Sequence, residues 1–138
     1  TLDISQNLVI NGPGSSVLAI SGNDLGQVIF VDIGATVVIR DLSITDGLID
    51  DEGGGLRNDG ILTLEDMRFS QNQAVDASGG ALVNQGTMII RDSVFENNEA
   101  QSGGAIFNVA GSDLTAERLL IQDAALSIPE AFCSAIQR

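Results

Sequence analysis

The sequence predicts an all-β chain: a right-handed, single-stranded parallel β-helix of about five coils, a reading that rests on three observations. A glycine-rich segment recurs, GGGLRNDG at 53–60, GGALVNQG at 79–86 and GGAIFNVAG at 103–111, with spacings of 26 and 24 residues. A second motif follows the first two copies, FSQN at 69–72 and FENN at 95–98, again 26 residues apart. Between the motifs, apolar and polar residues alternate with a period of two, the mark of a strand with one buried face. Repeat units of about 20–50 residues that cannot bury an apolar face alone do so when stacked. Successive coils then pair in parallel, and parallel crossovers are right-handed by default. Five coils at about 4.8 Å each make a stack only about 25 Å tall.

Each element follows from the alignment. The runs LVING (8–12) and VLAISG (17–22) are short apolar strands of an incomplete first coil. VIFVD (28–32) stands where GGGLRN stands one coil later, and TVVIRDLSI (36–44) matches LTLEDMRF (62–69) with a one-residue slip. Stacking gives inward columns: Leu56, Leu82 and Ile106 with Phe30 above; Leu62, Met88 and Leu114; Leu64, Ile90 and Ala116; Phe69, Phe95 and Ile121 with Ile44 before them. Gly55, Ala81 and Ala105 share a small-residue column. Asn58, Asn84 and Asn108 share another, read as a structural ladder that turns a corner in the left-handed conformation, each amide bonding to its equivalent one coil away. The β-helix is assigned to 1–123. Residues 124–138 break the pattern and form a capping or docking segment, where Ile128, Phe132 and Ile136 at helical spacing fit a short amphipathic helix that starts near Pro129 and covers the last coil.

Composition excludes several functions. The chain has 138 residues, 19 acidic and 6 basic side chains, all of the latter Arg, and a formal net charge of -13. Such a charge repels nucleic-acid phosphate. Without His, the usual general base and commonest metal ligand are missing. Without Lys there is no Schiff base and no polybasic membrane patch. No Trp or Tyr is present to stack on sugars. The single Cys133 has no internal partner; it reads as a buried or partly exposed thiol, with an intermolecular bridge as the alternative. No apolar run is long enough for a transmembrane helix. Starting at Thr1 without a leader pattern, the chain reads as a processed product or a fragment.

The paired motifs GGA-[IL] (GGAL at 79–82, GGAI at 103–106, with GGGL at 53–56 close to them) and F-x-x-N (69–72, 95–98) resemble the repeats of polymorphic outer-membrane proteins and autotransporter passengers. NLVINGPGSSVLAISGN is similar to the opening coils of large bacterial surface proteins with right-handed β-helices. The resemblance covers about residues 4–123. It implies export, placement outside the cell or at the bacterial cell surface (the periplasm being the alternative), and a role in adhesion or surface display.

Parallel β-helices also include polysaccharide lyases and hydrolases, whose chemistry needs converging carboxylates. The densest acidic run is Asp46, Asp50, Asp51 and Glu52. It is the one candidate for Ca²⁺, against the plainer reading of a solvated loop; no other cofactor is expected. No Arg lies in that run to serve a lyase. Glu65, Arg91 and Glu117, with Arg40, fall in one outward column of alternating sign, a surface ion ladder. Ice binding would need regular Thr columns, and Ile89 interrupts Thr63 and Thr115. No catalytic residue is assigned. The reading is a non-enzymatic structural or adhesive β-helical module that acts by surface presentation. The alternatives are an accessory subunit of an extracytoplasmic assembly and a fragment of a lyase or hydrolase. Because the first coil has no evident cap, a protein partner, or more of a longer chain, is expected at the N-terminal end of the stack.

Overall fold

The computed structural model describes residues 1–122 and 136–137. The chain is an all-parallel β-solenoid of about five turns. The first coil holds β1 (Leu2–Ile4), β2 (Leu8–Asn11) and β3 (Ala19–Ser21). The second holds β4 (Ile29–Val31), β5 (Thr36–Arg40), β6 (Ser43–Thr45) and β7 (Leu48–Ile49). In the third are β8 (Leu56–Asn58), β9 (Ile61–Glu65), β10 (Arg68–Ser70) and β11 (Gln73–Ser78), and in the fourth β12 (Leu82–Asn84), β13 (Thr87–Arg91), β14 (Val94–Glu96) and β15 (Glu99–Ser102). β16 (Ile106–Asn108), β17 (Asp113–Glu117) and β18 (Leu119–Ile121) make the fifth coil, and β19 (Ile136–Gln137) follows. Stacking produces four sheets, β1-β4-β8-β12-β16, β2-β5-β9-β13-β17, β3-β6-β10-β14-β18-β19 and β7-β11-β15.

Alternation within each strand sends one set of side chains into the stack. In the second sheet Leu62, Met88 and Leu114 are opposite one another, as are Leu64, Ile90 and Ala116, and all are buried. In the first, Leu82 lies between Leu56 and Ile106, all three fully buried. Burying such a side chain contributes about 1.5–3 kcal/mol, so the columns supply most of the driving force. In the third sheet Ile44, Phe69, Phe95 and Ile121 are stacked in register. The rings of Phe69 and Phe95 are 4.9 Å apart and 4° from parallel.

Phe30 does not join the Leu56 column. The register pairs Ile29 with Leu56 and Phe30 with Arg57. Ile29 and Val31 point inward and are fully buried, while Phe30 is half-buried on the outer face. A slip of one residue exchanges the faces of a strand. The outward ring is packed instead beneath the Arg57 guanidinium, 5.8 Å from its centroid.

The Asn column also differs from expectation in its backbone. Asn58, Asn84 and Asn108 are strand residues and are not among those with positive φ. The left-handed corners fall to Asp41, Asp66, Asp92 and Arg118 between the second and third sheets, and to Asp46, Gln71 and Asn97 after the third. Asp and Asn side chains bond locally and tolerate this region, so polar residues occupy it repeatedly.

The double glycine of the repeat has a steric cause. Gly79 has φ +69, and a Cβ there would come within 2.2 Å of Val83 Cγ2. At Gly80 a Cβ would be 2.4 Å from the carbonyl oxygen of Glu99, one coil on.

The helix expected after Pro129, with Ile128, Phe132 and the flanking Cys133, lies outside the described residues. Ile136, counted in that helix, is instead in β19, opposite Leu119 of β18. Strand addition gives the open backbone groups of β18 a partner that a helix would not.

Candidate functional site

Two asparagine ladders run through the stack. The Asn58 amide donates to Asn84 Oδ1 at 2.8 Å and to the Thr87 carbonyl at 3.1 Å. Asn84 repeats the arrangement with Asn108 Oδ1 at 2.8 Å and the Asp113 carbonyl at 2.9 Å. The second ladder is formed by the last residue of F-x-x-N, a role the sequence reading did not assign. Asn72 Nδ2 donates to Asn98 Oδ1 at 3.0 Å and to the Ile44 carbonyl at 3.0 Å, and Asn98 Nδ2 donates to the Phe69 carbonyl at 3.1 Å. Each motif thus packs its Phe inward while its Asn ties the corner to the preceding coil. The signal was the fixed 26-residue spacing of Asn72 and Asn98 itself. Among the described residues, every buried side-chain nitrogen and oxygen has a partner.

Outside, each of the five described arginines is held by a carboxylate. Arg40 binds Glu65 at 2.8 Å, and Arg91 bridges Glu65 at 3.4 Å and Glu117 at 3.0 Å, so the outward column is a continuous ion ladder. Arg118 grips both oxygens of Asp92 at 2.5 and 2.9 Å. This hydrogen bonding and the guanidinium charge hold the Asp92 carboxyl below its usual range and raise Arg118. Arg68 is paired with Glu96. Arg57 binds Asp59 at 2.9 Å, which is the main reason its pKa is raised; Asp51 and Glu52 add to the effect. The acidic loop therefore has in its field an arginine that lies five positions beyond Glu52 in sequence.

The four candidate calcium ligands are not gathered. Asp46 occupies a left-handed corner, where its Oδ2 accepts from the Ser21 hydroxyl at 3.0 Å. Asp51 Oδ1 accepts from the Glu52 backbone N–H, and Glu52 Oε2 from the Gln85 amide at 3.1 Å. Asp50 is exposed. Among the described residues no three carboxylate, Cys or His groups are arranged to hold a metal ion.

Shallow clefts occur among the described residues, and two of them bear on function. One, about 250 Å³, lies at the N-terminal end and is lined by residues 2–8. The other, about 260 Å³, lies between β11 and β15 and contains two carboxylates, Asp76 and Glu99, but no arginine. No helix among the described residues is long and apolar enough to cross a membrane.

Residues 92–109 match the Chlamydia polymorphic membrane protein repeat. The matched stretch runs from the β13–β14 corner through β16 and contains one F-x-x-N, at Phe95–Asn98, and one Gly-Gly-Ala-Ile turn, at Gly103–Ile106. No curated protein and no solved structure matches the chain. The family that carries this repeat is one of bacterial outer-membrane and surface proteins. With its Phe in the third-sheet column, its Asn in the corner ladder and its double glycine at the tight turn, the stretch 92–109 of this β-solenoid is similar to the Chlamydia polymorphic membrane protein repeat.

Proposed function

We propose that the chain is a non-enzymatic structural and adhesive module of a bacterial surface protein, one that acts by presenting its surface. One observation carries this reading: all five described arginines, the strongest cationic groups of the chain, are held in ion pairs. The buried asparagines Asn58, Asn72, Asn84 and Asn98 are taken up by the two ladders. The repeat match at 92–109 supports display at the cell surface. The β11–β15 cleft offers Asp76 and Glu99 without a cationic partner to stabilise a sugar carboxylate. The test is turnover of acidic polysaccharides by the purified chain, with and without Ca²⁺. No product is expected. Hydrolysis or elimination that disappears in Asp76→Asn or Glu99→Gln would replace this reading with a carbohydrate-active one.

A second reading, docking within a larger extracytoplasmic assembly, is favoured by the N-terminal end. Six of the nine exposed large hydrophobics among the described residues are in the first coil and its exit: Leu2, Leu8, Val9, Val17, Leu18 and Leu25.

A further inference from the structure

The outer face of the second sheet is patterned unlike the rest of the surface. The register stacks Val38, Thr63, Ile89 and Thr115 in one outward column, at the middle of β5, β9, β13 and β17. All four are half-buried or exposed. Beside them, at the strand ends, runs the ladder Arg40, Glu65, Arg91 and Glu117. Every uncharged side chain on this face of the four strands is Val, Ile or Thr. Such side chains are stiff at χ1 and lose little entropy when covered. Charge sets the face apart as well. In a chain of net charge -13, its two arginines stand against Glu65, Glu117 and Asp113, so it is close to neutral. The face runs along the side of the stack, and its exposure is that of a sheet surface rather than of an unpaired strand.

We infer that this face takes a second copy of the chain, packed sheet on sheet. The alternation of sign in the ladder selects that occupant. Consider a two-fold axis within the interface, parallel to the strands and midway between β9 and β13. It keeps each column over its own counterpart and reverses the order of the coils. Arg40 then lies over Glu117 of the second copy and Glu65 over its Arg91, with the reciprocal pairs following by symmetry. All four ladder positions meet the opposite sign. A column of one sign would repel itself in this arrangement, whereas an alternating column of four is its own complement. A two-fold along the stack would instead lay the ladder on the Thr and Ile side chains at the other strand ends. Thr63 and Ile89 meet at the centre and the ladder lies at the margin, the division of an interface into uncharged core and polar rim. Two-fold pairing is closed, so association stops at the dimer. Four strands of five residues give a contact of only about 16 Å by 19 Å. That is small for an interface, and the dimer is correspondingly weak and concentration-dependent. The inference goes beyond the surface-presentation reading and does not depend on it.

The test is sedimentation equilibrium of the full chain from about 1 μM to about 1 mM. Salt is held at about 0.15 M, where screening beyond about 8 Å removes repulsion between distant carboxylates and leaves the facing ladders coupled. A monomer–dimer equilibrium is expected. Arg91→Glu places a carboxylate over Glu65 of the second copy, and Glu65→Arg places a guanidinium over its Arg91. Each variant alone should dimerise about tenfold or more weakly than the wild type. An equimolar mixture of the two restores opposite signs at all four ladder positions, and should dimerise within about threefold of the wild type. Ile89→Lys, which leaves the ladder intact and changes the centre of the face, should also weaken the dimer about tenfold or more. A chain that stays monomeric throughout overturns the inference. So does a dimer indifferent to Arg91→Glu and Ile89→Lys, or one weakened by the ladder variants that mixing does not restore. Each of these results leaves the non-enzymatic reading intact, since turnover decides that separately.

Discussion

Asn58 Nδ2 donates to Asn84 Oδ1 across 2.8 Å, and neither side chain is exposed to solvent. The two residues are 26 positions apart in sequence and one coil apart in space. Asn84 accepts from Asn58 and donates to Asn108, so removing it takes a partner from both sides. Asn84→Ala leaves a donor on Asn58 and the Oδ1 of Asn108 without their partners. An unpaired buried polar group costs about 1–3 kcal/mol, which gives about 2–6 kcal/mol for the two. Urea unfolding should show this loss. Asn108→Ala, at the end of the ladder, should cost about half as much.

The same column logic applies to the apolar interior. Leu82 is between Leu56 and Ile106 with no exposed surface. Leu82→Asn places an amide where no donor or acceptor is free, at a cost of about 3 kcal/mol or more. A large drop in Tm, or failure to fold, is the expected outcome. An unchanged melt would show that the column is not interior.

How much of this was legible in the sequence depended on periodicity. Columns with three fixed-spacing members, such as Asn58, Asn84 and Asn108, could be aligned before any coordinates. Phe30 was misplaced because VIFVD lacks the glycine that fixes the frame in later coils, and in a run that is apolar on both faces the phase is underdetermined. The Asn72–Asn98 ladder was present in the spacing of the motif, whereas the further bonds of these amides to the Ile44 and Phe69 carbonyls of the preceding coil are ones no spacing reveals. The acidic run was a calcium candidate, set against the plainer solvated loop, because four carboxylates are near in sequence, and nearness in sequence does not arrange ligands in space.

Calcium should not matter to stability. Asp46, Asp51 and Glu52 already accept hydrogen bonds from Ser21, the Glu52 backbone and Gln85. Ligand linkage would raise Tm with added Ca²⁺ and lower it with chelator. No shift is expected in either direction. A shift abolished by Asp50→Asn and Asp51→Asn together would restore the calcium reading.

The Asp92–Arg118 pair sets a weak acid dependence. The Arg118 guanidinium lowers the Asp92 carboxyl relative to its unfolded value of about 3.9. A depressed carboxyl stabilises the folded state above the unfolded pKa, and that contribution is lost as pH falls through the folded pKa. Tm should therefore fall somewhat less steeply below about pH 4 in Asp92→Asn than in the wild type. Because both groups are at the surface, the difference should shrink further in high salt.

The outward ladder permits a prediction with opposite signs. Glu65 is held between Arg40 and Arg91, and Arg91 between Glu65 and Glu117, with side chains 29–39% exposed. Ion pairs this accessible contribute about 0–1 kcal/mol each. Replacing Glu65, Arg91 and Glu117 together by Gln removes attraction without creating repulsion, because the amides remain solvated. The triple variant should fold with a Tm within a few degrees of wild type. Arg91→Glu differs, since it sets three carboxylates in successive strands of one column. Like charges directly opposite across strands destabilise by about 0.2–1 kcal/mol per pair, and here there are two such pairs. The single substitution should thus lower stability more than the triple neutralisation does, and added salt should recover much of that loss. If both variants melt alike in low salt, the column is too far apart in solution to act as a ladder, and the ion pairs follow from side-chain placement alone.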